Sequence, residues 1–235
     1  MKKYTTNTIQ KAEYLRSEVL RVAVKNKQGH IAPSLSCLDI LTVLFYGVAD
    51  PMDTIILSKG HGCYGLYAIW ADLGLLPKDK WENFDLPGCL EGYGSLGHGL
   101  PVAVGIAYAN KQLKNKKHTW VIVGDGELQE GSNWEALSFM YHHDLKNITV
   151  IVDCNELQAM DKIDNILRQN LWERFAGWGF DPDACDGHDH KALERSLKEK
   201  PTILLARCLK GKGVDYMEGK AEWHFKVPYD KSYQG

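Results

Sequence analysis

The sequence lacks the features that mark several specialised classes of protein. It has 28 Lys and Arg against 30 Asp and Glu, a formal net charge of −2, so neither sign is in excess for binding nucleic acid or anionic lipid. Proline is scarce, with 8 residues among 235. Contents of 44% hydrophobic and 25% charged residues are typical of a folded globular chain and exclude a disordered one. The length allows one large domain or two small ones.

Cysteine pairs and long apolar runs are also missing. The six cysteines are scattered without a CxxC pair, which fits neither a zinc ribbon nor a disulfide scaffold. The N-terminus carries no apolar signal-peptide core. The longest uncharged apolar stretches, 40–49 and 99–109, are shorter than the roughly 20 residues that cross a bilayer. These absences predict a reduced, soluble, cytoplasmic protein.

The sequence alternates between segments with helical spacing of apolar residues and short, continuous apolar runs. Helical spacing of apolar residues, with capping-box sequences that open at Ser36 and Ser132, predicts a series of helices. Their predicted ranges are 8–28, 36–46, a helix ending near 73, 77–84, 99–113, 132–142, 166–177 and 189–199. Continuous apolar, β-rich runs that predict strands lie between them, at 54–57, 120–123, 148–152, near Phe180 and at 202–207.

Strands that do not alternate in polarity, separated by helices, indicate a parallel sheet covered by helices on both faces. The predicted fold class is therefore α/β. No linker or repeat divides the chain, so we expect one domain over 1–235, in which 210–235 is a loop or tail.

Glycine and polar residues gather where these strands end. The sequences that follow four of the strands are SKGHG at 58–62, GDG at 124–126, DCN at 153–155 and KGKG at 210–213. Ligands of open parallel sheets bind at the carboxyl ends of the strands. The sequence thus predicts a binding site at this edge. The KGKG stretch is interpreted as a mobile basic loop outside that site.

Asp125 and Asn155 form the most informative pair at this edge. A carboxylate and an amide oxygen are hard ligands suited to Mg²⁺ or Ca²⁺. Gly124 and Gly126 would let the backbone approach a diphosphate, whose charge the metal offsets. The alternative is a tight strand-to-helix turn capped by an Asp, with the Asn in an unrelated turn.

The GDG triplet at 124–126, followed about 30 residues later by Asn155, resembles the thiamine diphosphate and magnesium motif. The wider stretch 124–136 resembles transketolase. So do other segments in family order between residues 29 and 226, namely GH at 29–30, SLS at 34–36, SKGHG at 58–62, GSLGHG at 94–99, DGHD at 186–189, KGKG at 210–213 and EWH at 222–224. The resemblance covers nearly the whole chain. It implies the diphosphate-binding domain of the thiamine diphosphate-binding fold, which in some organisms is a separate N-terminal subunit.

The resemblance also implies roles for individual residues. Metal ligands would be Asp125, Asn155 and the backbone oxygen of Leu157, holding Mg²⁺ or another divalent ion such as Ca²⁺ or Mn²⁺. Thiamine diphosphate would contact a larger set, comprising His61, Gly94, Leu96, Gly124, Asp125, Gly126, Glu127, Asn155 and His224.

Catalytic roles are implied for three further positions. His30 and His224 would line the cleft as hydrogen-bond donors or proton shuttles. Glu130, together with Glu135, would join a carboxylate network that links active sites across a subunit interface. His188 and His190 open a predicted helix and are interpreted as structural residues.

A second, pyrimidine-binding domain carries the rest of the site in this family, including the Glu that activates the cofactor. The sequence shows no such domain. We therefore expect a partner subunit, in an α₂β₂ assembly, and no turnover by this chain alone. The expected activity is transfer of a two-carbon ketol unit from a ketose to an aldose, with a sugar or sugar phosphate as substrate and no nucleic-acid or membrane partner.

The sequence departs from the family around residue 89. Cys89 stands where the family has a His that helps to bind the donor sugar, and the loop at 88–94 is shortened. A thiol is a weak hydrogen-bond donor, so we expect an unusual sugar, either nucleotide-linked or branched, in a dedicated biosynthetic pathway. Two alternatives remain, a carboligase that uses a 2-oxoacid donor and a non-catalytic regulatory paralogue.

Overall fold

The structure is a computed structural model that describes residues 7–86 and 95–229. Its strands are β1 (Thr54–Leu57), β2 (Thr119–Gly124), β3 (Ile148–Cys154), β4 (Pro182–Asp186) and β5 (Ile203–Arg207). Its α-helices are α1 (Thr8–Lys25), α2 (Ile31–Val43), α3 (Tyr64–Asp72), α4 (Lys78–Glu82), α5 (Gly99–Gln112), α6 (Gly131–His142), α7 (Ile163–Ile166), α8 (Leu171–Gly177) and α9 (His190–Glu199). Short 3₁₀ turns span Gly60–Gly62, Gly126–Gln129 and Ala221–His224.

The five strands form one parallel sheet in the order β1-β2-β3-β5-β4. Successive residues of β2 point into two different cores: Trp120 and Ile122 join the cluster built by α1, α2, α3 and α9, whereas Val121 and Val123 join the cluster built by α5, α6 and α8. Both faces of the strand are buried, which explains why its sequence does not alternate. The predicted α/β fold with a covered parallel sheet is confirmed.

Helix α2 lies at the centre of the first core. All thirteen of its residues are buried, and a π-helical turn over Leu44–Val48 continues it. The combined stretch Ile31–Val48 has a mean hydropathy of 1.7, long and apolar enough to cross a membrane, but 83% of it is buried inside the fold. Its composition is therefore explained by its position as the core helix.

Both capping-box predictions are wrong about how the helices begin. Helix α2 begins five residues before Ser36, and the Ser36 hydroxyl instead donates to Asp153 Oδ1 at 2.7 Å. Helix α6 has Glu130 at its N-cap, while the Ser132 hydroxyl donates to the carbonyl of Gly97 at 2.7 Å. In each case a distant partner takes the hydroxyl that a local cap would use.

The register of the sheet aligns the carboxyl ends of its central strands. Gly124 pairs with Asp153, and Cys154 pairs with Arg207. The residues that follow β1, β2, β3 and β5 consequently meet along one edge, as expected from the sequence.

The C-terminal segment folds back over this edge as a loop. Met217 and Trp223 are buried in the first core. A Cβ built on Gly29 would lie 2.1 Å from the carbonyl oxygen of Phe225, so the backbone just before α2 and the C-terminal segment touch without room for a side chain.

We expect Gly29→Ala to destabilise the fold by about 1–3 kcal/mol, because the methyl group must push the Phe225 backbone aside. Gly105→Ala is the matched control. Gly105 lies inside α5 with nothing within 4 Å of a built Cβ, so alanine there should be neutral or stabilising by about 0.5–1 kcal/mol. Chemical denaturation of the two variants measures the difference. Equal stabilities would contradict the close contact.

Candidate functional site

A cavity of about 320 Å³ opens at the carboxyl edge of the sheet. Its lining comes from four strand ends, the start of α2 and the C-terminal segment. The lining residues are His30, Pro33, Lys59, His61, Leu96, Gly124, Asp125, Gly126, Glu127, Asn155, Leu157, Gln158, Ala159, Lys210, His224 and Phe225. The structure thus brings together every predicted cofactor and metal residue within its described ranges. Gly94 and Cys89 lie outside the described residues.

Three histidines form one wall of the cavity. The ring of His224 stacks on that of His61 at 5.1 Å between centroids and meets the ring of His30 edge-on at 5.6 Å. His30 precedes α2 in the left-handed conformation, with φ of 59°. His61 sits in the 3₁₀ turn after β1, and His224 in the last 3₁₀ turn.

All three imidazoles favour the neutral form. Burial, reinforced by the charge of Lys59, lowers the pKa of His61 to about 2. Burial and the charge of Lys210 lower the pKa of His224 to about 3. The same two causes lower the pKa of His30. Neutral imidazoles can each donate one hydrogen bond and accept another.

Lys210 lines the cavity, which corrects the prediction that the KGKG stretch lies outside the site. It is 1% exposed, and its Nζ lies 2.8 Å from His224 Nδ1 and donates to the carbonyl of Gln158 at 2.9 Å. Burial and the charge of Lys59 lower its pKa to about 8. Its position shortly after β5, at the ligand-binding edge, was the signal that could have identified it.

Asp125 and Asn155 face the cavity from adjacent strand ends. Asp125 is 4% exposed, and its carboxylate accepts from the amides of Gly126 at 2.8 Å and Glu156 at 2.6 Å. Burial and the neighbouring charge of Asp153 raise its pKa to about 7. A bound cation would offset the cost of ionising this buried carboxylate, because a neighbouring positive charge favours the ionised form.

A buried hydrogen-bond chain orients the Asn155 amide. Lys59 pairs with Asp153 in the interior, Ser36 donates to Asp153, and Asn155 Nδ2 donates to Ser36 at 3.1 Å. Since Nδ2 is used in this way, Oδ1 is directed to the other side, where it accepts from the amide of Leu157 at 3.0 Å. An oxygen has further capacity to bind a cation.

The donor set fits a divalent cation and an anionic group. One carboxylate, one amide oxygen and the Leu157 carbonyl are hard ligands, although that carbonyl also receives Lys210 Nζ at 3.3 Å. Within 7–86 and 95–229, no group of three or more His, Cys, Asp or Glu residues could hold a metal ion. Gln158 Nε2 is a buried donor without a partner among the described residues, and with Lys210 it suits an anion.

The Glu127 side chain holds the cavity wall together. Its carboxylate accepts from the amides of Gly97 at 3.0 Å and Gly124 at 3.1 Å, and from the Ser58 hydroxyl. With these bonds and 2% exposure, Glu127 positions the turn that carries Leu96.

Glu130 and Glu135 do not line this cavity. Both are exposed, and Glu135 borders a separate groove between α5 and α6. A role for them across a subunit interface stays a prediction.

Comparison with known proteins gives one consistent result. The family model described as transketolase, thiamine diphosphate binding domain, matches residues 8–227. The chain is 36% identical over 248 residues to one subunit of the apulose-4-phosphate transketolase of Actinobacillus succinogenes, covering 93% of this chain and 90% of that one. It is 32% identical to human transketolase over 242 residues, covering 92% of this chain but only 39% of that protein.

Solved structures agree on the fold. Transketolase from Campylobacter jejuni superposes with a TM-score of 0.85 at 26% identity, covering 95% of this chain and 41% of that one. Transketolase from Leishmania mexicana has a TM-score of 0.86 at 24% identity, and the match covers 95% of this chain and 40% of that one. The chain therefore spans about two fifths of each of these transketolases.

The neutral histidines predict a specific acid sensitivity. The folded-state pKa values of His61 and His224 lie below the ordinary value of 6.5, so the unfolded chain binds protons there that the folded chain does not. Stability is fully present above about pH 6.5 and is lost as the pH falls towards the folded-state values.

Urea unfolding between pH 7 and pH 4 measures this loss. The double variant His61→Phe, His224→Phe should lose less stability over that range than the native chain. His142→Phe, at an exposed position outside the cavity, is the control for replacing a histidine by phenylalanine. A double variant with the native pH profile would show that these two histidines titrate normally.

Proposed function

This chain belongs to the transketolase thiamine diphosphate-binding domain family, and on that premise we propose that it is the diphosphate-binding subunit of a two-chain, magnesium-dependent transketolase. The observation that carries the proposal is the cavity in which Asp125, Asn155 and two glycines face Lys210 and a wall of neutral histidines. Cation ligands and anion-binding donors lie side by side there, as a metal–diphosphate group requires.

The metal would be held by Asp125, Asn155 and the carbonyl of Leu157. Lys210 supplies positive charge for the diphosphate, and Gln158 Nε2, which has no partner among the described residues, supplies a donor. Gly124 leaves space beside the backbone, since a Cβ built there would make only ordinary contacts, the nearest at 3.7 Å. Leu96 lines the same cavity, and we propose that its backbone, together with that of Gly94, holds the aminopyrimidine.

Thiamine diphosphate, when bound, supplies the nucleophilic carbon with which a ketose is cleaved and its two-carbon unit passed to an aldose. This chain's residues bind and orient. His30, His61 and His224 remain neutral, so each can donate a hydrogen bond to a sugar or phosphate oxygen without adding charge.

A partner chain would complete the enzyme. The relatives whose length this chain nearly matches are named as subunits of a transketolase, while transketolases of full length extend well beyond the matched region. We propose a pyrimidine-binding partner that carries the activating Glu, in an α₂β₂ assembly with active sites at the interface. Glu135, which borders the groove between α5 and α6, and the exposed Glu130 would face that interface.

The substrate we propose is a sugar phosphate outside the common pentose phosphates. Two relatives carry apulose 4-phosphate in their names, which makes it the first donor to test. Cys89 and the shortened loop at 88–94 support a donor site that differs from that of the family.

The decisive assay combines this chain with its pyrimidine-binding partner, thiamine diphosphate and Mg²⁺. We expect ketol transfer from apulose 4-phosphate to an aldose phosphate, and none from this chain alone. Release of CO₂ from a 2-oxoacid would favour the carboligase alternative. Cofactor binding without turnover of any sugar would favour a regulatory paralogue. Efficient turnover of xylulose 5-phosphate and ribose 5-phosphate would contradict the unusual-donor proposal.

Two substitutions test the cofactor site by calorimetry. Asp125→Ala should abolish Mg²⁺-dependent binding of thiamine diphosphate, because it removes the only carboxylate among the proposed ligands. Gly124→Ala should fold normally yet weaken binding by about tenfold or more, since its methyl group occupies space meant for the ligand. Asp79→Asn, at an exposed position outside the cavity lining, is the control. Native affinity in Asp125→Ala would rule out this metal site.

A further inference from the structure

His188 lies outside the cavity, yet it contacts the backbone next to a cavity residue. We propose that His188 is a positioning residue that holds the amide of Leu209 and thereby keeps Lys210 in the anion-binding cavity. The expected effect of His188 on ligand affinity rests on the function proposed above, whereas its hydrogen bond to the Leu209 amide can be tested without any ligand.

Both ring nitrogens of His188 are used. Nδ1 lies 2.7 Å from Asp39 Oδ2, and the amide of Leu209 donates to Nε2 at 2.8 Å. A nitrogen that accepts a hydrogen bond carries no proton. The ring is therefore the neutral tautomer with its proton on Nδ1, donated to the carboxylate.

Asp39 is held as a carboxylate by the residues around it. Burial by itself would raise its pKa, but hydrogen bonds from His188 and His190 and the charge of Arg16 keep that pKa well below its usual range. Arg16 donates to both carboxylate oxygens, at 3.1 and 2.9 Å. An ionised Asp39 only accepts hydrogen bonds, which fixes the proton of His188 on Nδ1 and leaves Nε2 free to accept.

Three backbone amides on either side of Lys210 donate hydrogen bonds that hold this loop in place. The amide of Cys208 donates to the carbonyl of Cys154 at 2.9 Å, and that of Gly211 to the carbonyl of Ala32 at 3.1 Å. Leu209, between them, has His188 as its acceptor. Without the His188 ring, the partly buried amide of Leu209 would be left unpaired one residue before Lys210. The loop would then shift to give this amide another hydrogen-bond acceptor.

His190 provides a matched comparison. Its Nε2 lies 3.1 Å from the other oxygen of Asp39, and its Nδ1 lies 2.9 Å from the Thr8 hydroxyl. It belongs to the same charged cluster but makes no hydrogen bond to the described Lys210 loop. A purely structural role would give His188 and His190 similar effects, whereas a positioning role sets them apart.

The experiment compares His188→Phe with His190→Phe in the full chain. Both variants keep an aromatic ring and lose one contact to Asp39. Only His188→Phe should raise amide hydrogen exchange at 208–211. It should also weaken binding of inorganic pyrophosphate in the presence of Mg²⁺ by about tenfold, while His190→Phe stays within about twofold of the native chain. Equal changes in the two variants, or native exchange and affinity in His188→Phe, would overturn the proposal.

Two further measurements keep the result unambiguous. Nitrogen-15 NMR of the native chain should show His188 protonated on Nδ1 and not on Nε2, and a protonated Nε2 would overturn the proposal even if His188→Phe fails to fold. Lys210→Ala separates this inference from the proposed function. If native chain and Lys210→Ala bind pyrophosphate equally, the proposed anion site is wrong, and the exchange data alone decide whether His188 positions the loop.

Discussion

The buried ion pair between Lys59 and Asp153 ties together the elements that form the site. Lys59 follows β1, Asp153 lies in β3, and the Lys59 ammonium also donates to the carbonyl of Pro33 in α2 at 2.9 Å. Both side chains are buried, so loss of either partner would leave an uncompensated interior charge, which is strongly destabilising. The pair also acts on ligand groups, since Asp153 orients Asn155 through Ser36 and raises the pKa of Asp125.

The cavity contains two desolvated ionisable groups, Asp125 and Lys210, whose pKa values are both shifted towards the neutral form. Asp125 is a desolvated carboxylate whose pKa is raised to about 7, and Lys210 is a desolvated ammonium whose pKa is lowered to about 8. Each would return towards its ordinary ionisation beside a charge of opposite sign. A cation next to an anion meets both needs at once, and the neutral histidines add donors without adding charge.

Much of the fold can be predicted because local patterns and tertiary packing agree. The apolar run at 54–57 predicts a strand with its observed bounds, and Gly124 marks the end of β2 as expected. The predictions fail where a side chain has a distant partner. Ser36 and Ser132 have the pattern of helix caps but bond to Asp153 and Gly97. Helix propensity and capping patterns depend on residues that are close in sequence. They therefore do not predict a hydrogen bond to a partner more than 30 positions away.

By itself the sequence determined the α/β class, the strand ends at which a site is expected, and the proximity of Asp125 to Asn155, because these follow from periodicity, from the chemistry of the residues after each strand, and from the alignment of strand ends in a parallel sheet. The tertiary structure decided which residues share the cavity. It brought Lys210 in from a stretch interpreted as a mobile loop, turned Glu127 into a support of the cavity wall, and placed Glu130 outside the cavity. Burial, charge pairing and the return path of the C-terminal segment set these outcomes, and they exist only once the chain has packed against itself.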